Sequence, residues 1–341
     1  MSVEGRIFYD WHVHGKVPHV EHAMAVSCNL LFARLGLLLG KARLVQELEA
    51  FGFGARLEQG LLPMELGEFR GDPQSTWDLA RTRKAQPDTP RGHMINLRAH
   101  QKLVDSFEGE RNVPHDDRSF LRVQEGAQGS CLLIHGVSTG PGDLKELARV
   151  LFDAGLNVYV LRLPDYGTPG HTISEVSWES ALHQAEQCFH LLARGSGKVH
   201  VVGMGFGSTL ALLLALQENV SSLVLLAPAI MPRESWFQRL LVRLKLHRLR
   251  FVHNRLGWNA DLMEGMDKAR GKIGHIKVPI YAAQCDDDDR ACPTSLRILQ
   301  NKARNKASRF QVFPEGGHAI LANHGKDVLY PQILQFCEAD R

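Results

Sequence analysis

Residues 198–216 read KVHVVGMGFGSTLALLLAL. The first five, Lys198 to Val202, form a short β-rich run of the kind that becomes a buried strand. The last eleven, Phe206 to Leu216, are almost wholly apolar and long enough for a helix. Between them the register is Gly203, Met204, Gly205, Phe206, Gly207. A strand that turns into a helix this abruptly brings the two elements into near contact, and the outer glycines leave room for that approach. The central residue is held in a strained backbone conformation that lifts its side chain above the sheet. Here that residue is Gly205, which has no side chain to lift.

The surrounding chain alternates. Strands are predicted at 119–123, 131–134, 157–161, 198–202, 222–226, 279–283 and 308–313. Helices are predicted at 143–154, 176–193, 206–217 and 328–339. Strands alternating with helices imply an α/β domain with a mainly parallel sheet covered on both faces. Leu133-Ile134-His135-Gly136 closes an early strand. Residues 278–293, VPIYAAQCDDDDRACP, read as strand, acidic loop and helix start. Residues 313–319, FPEGGHA, place His318 in a glycine-bearing loop after the last strand. A strand–turn–helix with glycines around its centre is the setting of the G-x-S-x-G nucleophile elbow, and the order nucleophile, acid, histidine is that of the α/β hydrolases.

From about residue 119 to 341 the chain resembles the carboxylesterase and monoacylglycerol-lipase branch of the α/β-hydrolase family. The patterns that carry the resemblance are LLIHG near 132, LRLPDYGTPG near 161, Ser177-Trp178, LVLLAPA near 223 and GGHAI near 316. The resemblance implies an α/β-hydrolase fold with a short helical lid at about 233–266. It puts Gly205 at the nucleophile position and makes His318 the general base. Asp288 would orient that base, lying five residues before Pro293 as the family's aspartate does; Asp286, Asp287 and Asp289 are its competing neighbours. Backbone N–H groups of Val137 and Phe206 would form the oxyanion hole, which stabilises charge developing on a tetrahedral intermediate. His135, Gly136 and Met204 would border the substrate. Asp165-Tyr166 stands where the family usually has Gly-His, a change at the rim of the pocket.

Serine supplies the attacking oxygen in such a site. Its loss from a comparable set costs about a million-fold in kcat. Three readings follow. The protein is a catalytically impaired relative that binds an acyl- or ester-like ligand or a partner. Or it is a carboxylic-ester or lipid hydrolase in which glycine has replaced serine at 205. Or another nucleophile acts: Ser138, Ser208, Thr209 or a water held by His318. Ser208 and Thr209 fit better as residues of the first helical turn. A pure interaction or scaffold protein is the remaining alternative.

Residues 1–108 read as a separate helical domain, with helices expected at 22–38, 41–51, 76–84 and 92–107. A polar linker, FEGERNVPHDDR, covers about 107–118, so the domains are expected at 1–108 and 119–341 with 109–118 between. Residues 9 to about 90 resemble part of a penicillin-binding transpeptidase domain, with Ser27, Cys28 and Asn29 as its S-x-N motif. The S-x-x-K motif that should precede it and the K-[ST]-G strand that should follow it are absent. The segment is therefore expected to serve as a scaffold, a cap or a docking module for a protein partner. His12, His14, His19 and His22 with Glu21 fit ordinary surface histidines better than a metal set. The Asp286–Asp289 run lacks the spaced oxygen ligands of a calcium loop. No metal and no cofactor is expected.

Composition bounds the rest. With 341 residues, 44% hydrophobic and 23% charged, the chain can build a sizeable core. A net charge of +3 from 40 basic and 37 acidic residues argues against a nucleic-acid binder. The basic stretch Arg239–Arg255 reads as an amphipathic lid helix, with weak membrane-surface contact as its alternative. Cys28, Cys131, Cys188, Cys285, Cys292 and Cys337 form no CxxC pair and read as reduced thiols. With no signal-peptide pattern at the start and no apolar run long enough to span a bilayer, a cytoplasmic protein is expected.

Overall fold

The computed structural model describes residues 2–3, 6–7, 90–169, 177–196, 198–231, 244 and 259–338. The chain divides into two units, Met1–Pro87 and Asp88–Arg341. In the first, Ser2–Val3 pairs antiparallel with Arg6–Ile7. The helices expected before residue 85, the transpeptidase-like Ser27-Cys28-Asn29 and His12, His14, His19 and His22 lie outside the described residues.

The second unit opens with helix α1 (Pro90–Glu110). Strand β1 (Phe120–Arg122) and strand β2 (Gly129–Ile134) follow. Then come α2 (Lys145–Asp153), β3 (Leu156–Leu161), α3 (Trp178–Ser196), β4 (Val199–Met204), α4 (Phe206–Leu214) and β5 (Leu223–Leu226). The chain ends with α5 (Asn259–Lys272), β6 (Ile280–Cys285), α6 (Thr294–Lys302), β7 (Arg309–Phe313), α7 (Ile320–His324) and α8 (Tyr330–Glu338). The seven strands form one sheet in the order β1-β3-β2-β4-β5-β6-β7. Within this sheet, among the described residues, only the pairing of β1 with β3 is antiparallel.

Strands β2 to β6 are buried along their whole length. A parallel sheet covered on both faces requires this, which is why they read as mainly apolar runs, with Ser130, Asn157, His200 and Gln284 as buried polar positions. Successive side chains serve opposite faces. Leu132 and Ile134 of β2 join a core with Leu97 of α1 and residues of α3, α4 and α5, while Cys131 and Leu133 join one with α2 and α8.

Strand positions fall within a residue or two of those expected, while several helices differ. The helix expected at 143–154 splits into a 3-10 turn, Pro141–Leu144, and α2. The closing helix enters through a π turn, Gly325–Leu329. Most of the lid expected at 233–266 and all of the basic stretch but Leu244 lie outside the described residues; the end of that range belongs to α5, which packs on α4 and α3.

The linker expected at 109–118 is not a free connection. Helix α1 packs against α3 and β1. Its Glu108 accepts hydrogen bonds from Arg162 Nε (2.9 Å), Ser119 Oγ (2.8 Å) and the Ser119 N–H (2.8 Å). Arg162 continues to the Tyr166 carbonyl at 2.7 Å and Thr168 Oγ1 at 3.1 Å. The Glu108 and Arg162 side chains are almost fully buried. A buried ion pair with this many partners fastens α1 to the sheet, and α1 falls within the second unit, Asp88–Arg341.

Candidate active site

The turn between β4 and α4 carries Gly205 at φ 55° and ψ −124°. Its N–H donates to Leu226 O at 2.9 Å, and its carbonyl accepts from the N–H groups of Ser208 and Ala229, both at 3.1 Å. The tight approach expected of the flanking glycines is present. A Cβ on Gly203 would meet Gly207 O at 2.4 Å, and one on Gly207 would meet Ile134 O at 2.1 Å. Any side chain at either position would have to push the backbone of β2 or α4 aside.

A Cβ on Gly205 would lie 3.1 Å from His318 Nε2 and 3.5 Å from Gly136 Cα. His318 thus faces the vacant side-chain direction of the elbow. Its Nδ1 is 3.1 Å from both Asp288 Oδ1 and Asp288 Oδ2. Asp288 is fully buried and also accepts from the N–H groups of Arg290 (3.0 Å) and Ala291 (2.9 Å). Burial would raise its pKa, but the bond and charge of His318 and the two backbone donors outweigh that and hold the carboxyl below its ordinary value. Of the four aspartates in the acidic loop, Asp288 is the one that reaches the His318 ring.

The loop after β2 completes the ring of elements. Gly136 donates to Thr139 Oγ1 at 2.8 Å. Among the described residues, the N–H groups of Val137 and Phe206 have no hydrogen-bond partner. His135, expected to border substrate, lies at the end of β2. It is fully buried, with Nδ1 bonded to Gly136 O (2.6 Å) and Nε2 accepting the Leu163 N–H (2.9 Å). Both ring nitrogens are used in joining the β2 and β3 loops, and burial pushes its pKa down to about 4. Tyr166, from the Asp165-Tyr166 pair, packs its ring on His135 with centroids 4.6 Å apart.

Met204 is buried too, yet it lines a cavity of about 410 Å3 with Thr139, Ala319, Leu321 and Tyr330. That cavity touches the elbow, the loop after β2 and the residue following His318.

The alternative nucleophiles separate by geometry. Ser208 Oγ donates to Gly203 O at 2.9 Å and Thr209 Oγ1 to Ala229 O at 2.5 Å, and both residues are fully buried. Their hydroxyls are committed to the backbone, as residues of the first helical turn often are. Ser138 is exposed. Cys285 also lies near the histidine loop, but burial first and then Asp287, Asp288 and Asp286 push its thiol up to about 11, which disfavours the nucleophilic thiolate.

Sequence reasoning did not single out Thr139, Asp287 or the Glu108–Arg162 pair. Asp287 is indistinguishable by type from its three neighbours, and the other partners are far apart in the chain. No group of three or more His, Cys, Asp or Glu side chains among the described residues could hold a metal ion. None of the described helices is long and apolar enough to cross a membrane.

Comparison with known proteins gives a consistent picture. A carboxylesterase of Bacillus subtilis (strain 168) is 20% identical over 234 residues, covering 63% of this chain and 94% of that protein. The monoacylglycerol lipase of Paleococcus ferrophilus superposes with a TM-score of 0.55 at 16% identity, covering 66% of this chain and 99% of that one. A structure from a study of LipS and LipT, two metagenome-derived lipolytic enzymes, gives a TM-score of 0.58 at 15% identity over 67% of this chain and 99% of that one. Residues 131–329 match the alpha/beta hydrolase family, and the chain belongs to that family.

Proposed function

We propose that this is a carboxylesterase- and monoacylglycerol-lipase-like protein that lacks its nucleophile and acts by binding an acyl- or ester-type ligand. The observation that carries the reading is Gly205 at the elbow, with His318 Nε2 facing the direction its side chain would take. In this reading Asp288 and His318 form the base, and the Val137 and Phe206 N–H groups receive a ligand oxygen. Without serine no acyl-enzyme forms. The donors and the base still suit the carbonyl of an ester or acid, and the cavity beside Met204 offers space for part of the ligand.

The retained pair of Asp288 and His318 favours one further reading, an ester hydrolase in which glycine has replaced serine at 205. A fluorophosphonate probe, read by mass spectrometry of the intact protein, separates the two. The chain as it stands is expected to remain unlabelled. Gly205→Ser is expected to be labelled at position 205, after His318 retreats by a few tenths of an ångström. The same substitution should lower stability by roughly 1–3 kcal/mol, because a non-glycine residue must adopt the elbow's φ and ψ. Stoichiometric labelling of the unaltered chain would refute the impaired reading. A folded Gly205→Ser that never reacts would mean the site is no longer a hydrolase site. An acyl species found on the purified protein by native mass spectrometry would favour ligand binding over a purely scaffolding role.

A further inference from the structure

We infer that Asp287 is a positioning residue of this site: its carboxylate clamps the two backbone N–H groups that precede His318 and so fixes where the imidazole stands between Asp288 and Gly205. The inference rests on the reading of Asp288 and His318 as the base of a hydrolase-type site. One Asp287 oxygen accepts the Gly317 N–H at 2.7 Å and the other accepts the Gly316 N–H at 3.1 Å. The next residue in the chain is His318. Two adjacent aspartates of one loop therefore hold the histidine loop at two points, Asp287 by its backbone and Asp288 by the imidazole.

The rest of the loop is held by residues that follow it in the chain. Asn323 Nδ2 donates to Gly316 O at 2.7 Å, and His324 Nε2 is 2.7 Å from Glu315 O. The His324 ring stacks on Phe313 at 4.2 Å. Those contacts come from α7, which is the histidine loop's own continuation in the chain. Asp287 is different, because it ties that loop to the strand end that also supplies Asp288. Hydrogen bonds from N–H groups to an ionised carboxylate are about twice as strong as neutral ones. Asp286 and Asp289 do not share the role: among the described residues their side chains make no hydrogen bond or ion pair.

Tolerance at this point is narrow. A Cβ at 205 would stand 3.1 Å from Nε2, so a small shift of the ring changes contact into gap or clash. A misplacement of about 1 Å in a reacting geometry can cost on the order of a hundredfold in rate.

The test uses the full chain with Asp287→Ala, Asp287→Asn, Asp286→Ala and Asp289→Ala. In protein carrying nitrogen-15 histidine, the Nδ1–H proton of His318 bonded to Asp288 gives a low-field NMR resonance, assigned by its loss in His318→Gln. Asp287→Ala is expected to broaden or abolish that resonance. Asp287→Asn should keep part of it, since an amide oxygen can still accept one N–H. Asp286→Ala and Asp289→Ala remove the same charge without the clamp and should leave it intact. In the Gly205→Ser background, Asp287→Ala should slow fluorophosphonate labelling about tenfold, with partial recovery in Asp287→Asn. An unchanged resonance in Asp287→Ala, or an equal loss in Asp286→Ala, overturns the inference. If Gly205→Ser itself is never labelled, the hydrolase reading fails, and the resonance still decides whether Asp287 positions His318.

Discussion

His135 and Gly205 are single residues whose chemistry follows from what surrounds them. At 205 the backbone sits at φ 55°, and glycine meets that demand without strain. This was legible in the sequence, because G-x-G-x-G between a strand and a helix admits few conformations. His135 was not legible in the same way. Its sequence neighbours suggest a residue facing substrate, but its role depends on the Leu163 N–H, which comes from another strand's loop. That role has a pH signature. Above about pH 6.5 the ring is neutral in both the folded and unfolded chain and contributes no pH dependence. As pH falls from about 6.5 towards about 4, the unfolded chain binds a proton and the folded chain does not, so stability falls. Below about 4 the folded ring protonates as well and the loss levels off. The window corresponds to roughly 3 kcal/mol. His135→Gln cannot titrate, so its deficit relative to the parent at pH 7 should shrink by about that amount at pH 4. Urea midpoints for both proteins at several pH values measure it, and parallel stability curves would remove His135 as the source.

At the scale of elements, the strands were the legible part and the attachment of α1 was not. Short, mainly apolar runs between turn residues identify β2 to β6, because a strand buried on both faces admits a polar residue only where it finds a partner, as His200 finds Ser222. Helix α1 could be read as a helix, but nothing local says what it packs on. Its anchor Glu108 meets Arg162, 54 positions away. A polar stretch with glycine and proline then looks like a linker, although Val113 is buried and Arg118 Nε holds the Val113 carbonyl at 2.8 Å. Both members of the Glu108–Arg162 pair are almost fully buried, so the modest values typical of surface pairs do not apply. Removing one partner of such a pair leaves an uncompensated charge, at a cost of about 3–5 kcal/mol. Glu108→Ala should show that loss in urea unfolding. The double substitution Glu108→Ala with Arg162→Leu should recover part of it, since the stranded charge is gone. A single-variant loss below about 1 kcal/mol would mean that water reaches the pair.

For the whole molecule, the question is where the hydrolase-like unit begins. The alternation of strands and helices places the start near 119, and the contacts place it at Asp88. The magnitudes decide between them. A chain beginning at Ser119 lacks Glu108, which strands Arg162 at about 3–5 kcal/mol. It also lacks Leu97, a fully buried member of the core shared with α3 and α4, and an emptied leucine site costs about 2–5 kcal/mol. Together these approach the 5–15 kcal/mol that typically separates a folded domain from its unfolded chain. A chain beginning at Asp88 keeps both contacts. Residues 88–341 are therefore expected to unfold cooperatively with a native near-ultraviolet circular dichroism spectrum. Residues 119–341 are expected to lose that spectrum and bind a hydrophobic dye, as a loosened core does. Equal unfolding free energies for the two chains would make α1 a dispensable extension and return the boundary to the polar stretch after it. A difference of several kcal/mol would make α1 part of the fold that positions Gly205, His318 and Asp288.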